Sequence, residues 1–150
     1  MSTDNVKVYD AEKMVIGRLG TRVAKDALMG KDVVIINAEK AIITGGRRFL
    51  IEAFKEKRDI RTSSNHALGP FHERRPDMMV RRMIRGMLPW PTPRAKAALK
   101  RVKVYMGVPE KYRDAERIVL EKSRYVSMKS KYIQVSDLSH ELGWRNPEVA

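Results

Sequence analysis

Between Arg74 and Lys103 the chain reads RRPDMMVRRMIRGMLPWPTPRAKAALKRVK. Ten of these residues are basic, namely Arg74, Arg75, Arg81, Arg82, Arg85, Arg94, Lys96, Lys100, Arg101 and Lys103, and one, Asp77, is acidic. The stretch therefore holds +9 of a net charge of +13. Lysine and arginine at this density suit a polyanion, because each neutralised phosphate releases condensed counterions and makes binding strongly salt-dependent. Arginine predominates from Arg74 to Arg94, and its planar fork suits bidentate phosphate contact and stacking on bases. Arg47, Arg48 and Arg58 in RRFLIEAFKEKR, and Arg61 in the segment that follows, extend the basic set.

Residues 60–75, IRTSSNHALGPFHERR, lack periodicity and predict an ordered basic loop. His66, Phe71 and His72 there can stack on unpaired bases, while Phe71 equally suits an anchor for the loop. Catalytic constellations are not apparent. The chain has no cysteine, which excludes thiolate catalysis, disulfides and cysteine-based zinc sites. His66 and His72 lie in the loop rather than on one helical face, and His140 follows Ser136 and Asp137 in what looks like a helix start. Neither a metal centre nor a hydrolytic triad is expected, and no cofactor or small-molecule substrate. The Thr44-Gly45-Gly46 turn, between a strand and a helix N-terminus, can present free N–H groups to a phosphate. It lacks the lysine and hydroxyl of a Walker A loop and the GxGxxG pattern, so a nucleotide-binding enzyme, a plain turn and an RNA-phosphate contact all remain open.

The basic residues need elements to position them. On a helix from Asp77 to Leu88, Met79, Val80, Met83, Ile84, Met87 and Leu88 share one half of the circumference, and Arg81, Arg82 and Arg85 the other. Pro89-Trp90-Pro91 stops that helix. Thr92 as N-cap and Pro93 at the first position start another, with Ala95, Ala98, Leu99 and Val102 as its apolar stripe and Lys96, Lys100 and Lys103 facing away. Two basic amphipathic helices thus meet at a stiff Trp-Pro corner.

Upstream, Val6–Tyr9 predicts a strand, Ile16–Met29 a helix closed by Gly30, and Asp32–Asn37 a strand whose run VVII suits cover on both faces. These make a βαβ unit. Ala41–Gly45 predicts another short strand and RRFLIEAFKEKR a helix. Val104–Gly107 predicts a strand, Glu110–Glu116 a short helix and Tyr132–Val135 an extended segment; Ser136 is expected to cap a helix through Leu142, with Gly143 ending it and Trp144 docking behind. Residues 109–150 carry only +1 net, so packing rather than polyanion binding is expected of them.

At 150 residues with 43% hydrophobic content, the chain is expected to form a single domain, with an α/β core over 1–107, the basic helical pair 77–103 within it, and a packing extension over 108–150. No run approaches a membrane span, and the opening MSTDNVKVYD lacks signal-peptide regions, so no membrane partner and a cytoplasmic location are expected. A pI of about 10.2 points to nucleic acid. The absence of zinc-finger spacing or a zipper register favours shaped RNA over sequence-read DNA.

Particular residues carry a resemblance. Ile84-Arg-Gly-Met-Leu-Pro89, Arg94-Ala-x-Ala-Ala-Leu99 and Leu99-Lys-Arg-Val-Lys-Val-Tyr-x-Gly107 resemble the signature of the large-subunit ribosomal protein L-thirteen family. Asp10-Ala11, Ile16-Gly-Arg-Leu19, Val23-Ala-Lys25, Val34-Ile-Ile-Asn-Ala-Glu-Lys40 and Thr44-Gly45 are similar as well. The likeness spans roughly Val6 to Gly107. The direct Gly30-Lys31-Asp32 link and the Gly69-Pro70-Phe71-His72 loop resemble the archaeal and eukaryotic type. The resemblance implies a three-layer α/β/α sandwich around a small, mostly parallel sheet of about four strands. It also implies large-subunit rRNA and neighbouring large-subunit ribosomal proteins as partners, an early assembly role, no enzymatic activity and residence on the cytoplasmic ribosome. Extra-ribosomal RNA regulation would use the same surface.

Overall fold

A computed structural model describes residues 6–126 and 130–145. Strand β1 (Val6–Asp10) runs parallel to β2 (Asp32–Ile36), and helix α1 (Ile16–Leu28) connects them, which is the expected βαβ unit. Gly30 ends α1 as expected. At φ +90° it takes a left-handed conformation that a Cβ would strain, and its N–H donates to the Ala27 carbonyl while that of Lys31 reaches Asp26, closing two helix-end carbonyls.

The four β-branched residues of β2 explain why this strand is central. Val33 and Ile35 enter one apolar cluster, with Leu19, Val23, Ile84 and Ala98, whereas Val34 and Ile36 enter another with Val8 and Tyr112. A strand buried on both faces has no polar alternation to keep. On the first side lie α1, α3 (Pro76–Gly86) and α4 (Pro93–Arg101); on the second, residues 105–115 cover the sheet with one 3-10 turn, Glu110–Tyr112. The result is a three-layer α/β/α fold whose third layer is thin.

The main sheet has the order β4-β2-β1-β5, all parallel, with β4 at Val102–Val104 and β5 at Arg117–Ile118. Several expected boundaries shift. The strand expected at Val104–Gly107 begins two residues earlier, because the chain passes from α4 directly into β4, so Val102 is a strand residue and not part of the helical stripe. The expected helix over Glu110–Glu116 contracts to its 3-10 turn, and Arg117–Ile118, too short to show a pattern, pairs with Val8 and Tyr9. Ser136 lies inside α5 (Val135–Glu141); Gln134 is its N-cap and makes no side-chain cap.

The strand expected near Ala41–Gly45 exists as β3 (Ile42–Thr44), but it pairs antiparallel with β6 (Tyr132–Gln134), apart from the main sheet. With α2 (Arg47–Asp59), α3 and α5, this pair encloses a further cluster of Met79, Ile133, Leu138 and Leu142, against which Leu50, Ile51 and Phe54 pack. Helix α3 serves both cores. Val80 and Ile84 point to the sheet, and Met79 points to the α2/α5 side.

Candidate nucleic-acid interface

Helix α3 starts with Pro76 at its first turn, where a missing N–H leaves no bond unmade, and ends in a tight turn through Met87 and Leu88. The inward face is as the periodicity requires: Met79, Val80, Ile84 and Leu88 are buried and Met83 partly so. Met87 is the departure. It sits at the surface, with its sulfur over Gly20 of α1, where an added Cβ would lie 2.7 Å from that atom. The opposite face carries Arg81 and Arg82, half-buried, and Arg85, exposed.

Trp90 occupies the corner between α3 and α4. The Arg85 guanidinium carbon lies 4.7 Å from its ring centroid and the Lys96 ammonium 5.9 Å, so one indole carries a cation from each helix. The Trp90-Pro91 peptide is cis. Thr92 accepts from the Ala95 N–H as the expected N-cap, and Ala95 and Ala98 are fully buried, small enough to bring α4 close to α1. Arg94 extends one N–H towards the Leu28 carbonyl at the end of α1, at 3.4 Å. Lys100 and Lys103 are exposed and Arg101 half-exposed. No Asp or Glu occurs between Asp77 and Glu110, and among the described residues no salt bridge neutralises any of these cations.

Other expected contact residues sit differently. Arg75 binds the buried Asp77 carboxylate through two N–H groups at 2.8 and 2.5 Å; this pairing raises its pKa further and neutralises its charge locally. Arg47 reaches from α2 to Glu141 at 2.9 Å and to Asp137 at 3.9 Å, tying α2 to α5, and Arg48 pairs with Glu52 one turn along at 2.8 Å. Arg74 is exposed, with a guanidinium nitrogen beside Gly143, while Ser139 of α5 donates to its carbonyl. Arg61 and His66 are exposed in the loop, where Asn65 caps the short turn His66–Leu68. Phe71 is exposed rather than anchoring; its backbone carbonyl, not its ring, fastens the loop by accepting from Arg82.

Arg58 and His72 come together across the chain. They share a cavity of about 310 Å³ with Phe54, Lys57, Met83 and Arg82. Arg58 is held there by donating to the Leu142 carbonyl at 2.7 Å. Burial, then the charges of Arg82, Lys57 and Arg58, push the His72 pKa below the ordinary imidazole value, which favours the neutral ring. Lys57, which no motif in the sequence marks as a contact residue, joins them, its ammonium 5.4 Å from the Phe54 ring centroid. Its position three residues after Phe54 on one helix was the available signal.

The glycine turn offers little to a nucleotide. Gly45 has φ +143°, and its N–H already donates to the Lys131 carbonyl at 2.8 Å. An added Cβ there would meet Leu50 at 3.2 Å, so the glycine serves the approach of β3 to α2. A buried cluster outside the basic face is Asp26, which receives Tyr9 Oη at 2.5 Å and Lys7 Nζ at 3.3 Å, with Arg22 at 3.6 Å. Among the described residues no group of His, Cys, Asp and Glu is arranged to hold a metal, and no helix is long and apolar enough to cross a membrane.

Comparison with known proteins covers most of the chain. The family described as "Ribosomal protein L13" matches residues 4–111. A protein of Methanococcoides burtonii named "Large ribosomal subunit protein uL13" is 41% identical over 137 residues, 91% of this chain and 96% of its own. Its namesake in Archaeoglobus fulgidus is 40% identical over 147 residues, covering 95% of this chain and 90% of its own, and that of Methanocaldococcus jannaschii is 42% identical over 137 residues. The match contains the βαβ unit, both basic helices and the Trp-Pro corner, and the chain accordingly belongs to the ribosomal protein L13 family, whose members are structural components rather than enzymes.

Proposed function

We propose that this chain is a structural constituent of the large ribosomal subunit, binding large-subunit rRNA through the α3–α4 surface. It supports early subunit assembly and translation on the cytoplasmic ribosome, beside neighbouring large-subunit proteins. The observation that carries this reading is the segregation of charge: among the described residues Arg81, Arg82, Arg85, Arg94, Lys96, Lys100, Arg101 and Lys103, on α3, α4 and the strand β4 that follows, are without acidic partners, while Arg47, Arg48 and Arg75 are paired. Cations left unpaired on a rigid scaffold keep their desolvation and ordering penalties low when phosphates arrive. The relatives named large ribosomal subunit protein uL13 align over almost their whole length, which supports the same reading.

The work of such a protein is geometric. The inner faces of α3 and α4 are locked into the core, so the outer faces present their cations at fixed spacing, with Trp90 holding one cation from each helix. A folded RNA whose phosphates match that spacing is bound by shape rather than by base edges. Immunodetection of the chain across a sucrose gradient of native extract tests the reading. Co-migration with the large subunit, released by high salt, is the expected result; its absence from those fractions would overturn the proposal.

A further inference from the structure

Arg82 stands between two cavities. The larger, of about 310 Å³, has an apolar floor of Phe54, Met79, Met83 and Leu142 and a rim of Lys57, Arg58 and His72. The smaller, of about 190 Å³, is lined by Arg81, Arg82 and Arg85 over Met78 and Leu99. Glu73 is in the wall of both. Three of the arginines are held by carbonyls: Arg58 donates to Leu142, Arg81 to Leu99 at 3.4 Å and Arg82 to Phe71, and each keeps further N–H groups free to donate. Arg81 Nε is buried, and among the described residues it has no hydrogen-bond partner. A buried donor without an acceptor is rare in a finished fold.

The two cavities ask for different chemistry at adjoining positions. The larger wants a flat, mostly apolar body; the smaller wants an anion with several oxygens. A nucleotide supplies both from one residue. Paired bases are stacked within a helix and cannot reach a concave apolar floor, so the nucleotide must be unpaired. An aromatic side chain of a protein would fill the first cavity but leave the three arginines of the second without an anion, and five cations around one acid favour RNA. We propose that these cavities together take a single extruded nucleotide of RNA, its base on the Phe54–Met83 floor beside His72 and its phosphate among Arg81, Arg82 and Arg85. Glu73, accepting from an exocyclic amine, selects against uracil. The proposal rests on the RNA-binding reading above and gives it a point of specificity that backbone contacts lack.

The test compares two short RNA hairpins of matched length, one fully paired and one with a single bulged adenosine, binding the full-length chain at about 150 mM salt. Fluorescence anisotropy is expected to show the bulged hairpin bound roughly tenfold more tightly, the scale of one base stacked on an aromatic platform. His72→Trp, which fills the larger cavity from a loop position, is expected to bring the bulged hairpin down to the affinity of the paired one without changing the circular dichroism spectrum. Phe54→Ala, which removes the floor instead of blocking it, is expected to do the same. Equal binding of both hairpins by the unaltered chain would overturn the nucleotide pocket while leaving backbone-directed RNA binding in place. A preference that survives both substitutions would overturn it as well, placing the bulge elsewhere on the basic face. Binding of neither hairpin would also overturn it, and the gradient experiment would then judge the RNA reading separately.

Discussion

Asp26 is 2% exposed yet charged, and its surroundings explain both. Burial alone would raise the carboxyl pKa; the hydrogen bonds from Tyr9 and Lys7 and the charges of Lys7 and Arg22 outweigh it and hold it below the ordinary value. A depressed folded-state pKa contributes stability that is present above the unfolded value of 3.8 and is lost as pH falls through the lower, folded value. Asp26→Ala is therefore expected to cost about 2 kcal/mol at neutral pH, since Tyr9 Oη is left buried without its acceptor. Urea unfolding at pH 7 and at pH 3 checks this, and the deficit should shrink at the lower pH. Trp90 makes the contrasting case. It is 42% exposed, so Trp90→Ala should leave the melting temperature nearly unchanged. RNA affinity should nonetheless fall several-fold, because Arg85 and Lys96 lose the ring that holds them.

At the scale of elements, α3 is the piece on which most depends, because one helix faces two cores and one basic surface. Ile84 is fully buried between α3, α1 and the sheet. Ile84→Asp should destabilise by several kcal/mol or prevent folding, since a carboxylate there has no partner. Thermal melts of the purified variant would show it, and a native-like melt would mean that this face is not inward. Met83, which the periodicity placed equally deep, is only partly buried and lines the larger cavity instead. The outward face is cleanest to test through side chains that fasten no backbone carbonyl. Arg81 and Arg82 fasten Leu99 and the loop carbonyl of Phe71, so their removal mixes two effects. Replacing Arg85, Lys96, Lys100 and Lys103 by Ala should leave the fold intact. The slope of log affinity against log salt should then fall by roughly one for each lost phosphate contact.

For the whole molecule, the nearly neutral tail has a task its composition only hinted at. Residues 105–115 cover Val8, Val34 and Ile36, and Arg117–Ile118 pairs with the edge of β1. A chain ending at Gly107 would expose that apolar face together with an unpaired parallel edge. It is expected to aggregate, or to unfold many degrees below the full chain, as sedimentation and differential scanning calorimetry would report. If the shortened chain stayed monomeric with an unchanged melting temperature, the tail would be dispensable to the core. The proposed nucleotide pocket depends on the same completeness, because Ile133 of β6 and Leu138 of α5 pack in one cluster with Leu142, whose carbonyl accepts from Arg58.

By itself the sequence determined what is local. The 3.6-residue period of Met79 to Leu88 set the inner face of α3, the run VVII set a strand covered on both sides, Gly30 and Thr92 set helix ends, and the charge of residues 74–103 pointed to a polyanion. Each follows from bond geometry or composition within a few residues. The tertiary structure decided what depends on distant neighbours. It tied Arg47 to Asp137 and Glu141 of a distant helix, placed β3 outside the main sheet and found in Arg117–Ile118 a strand two residues long. It also brought Phe54, Lys57, His72 and Arg82 from three segments to one cavity. An arginine's local sequence is nearly the same whether its partner is a carboxylate of another helix or an absent phosphate, and only the packing of the helices says which it meets.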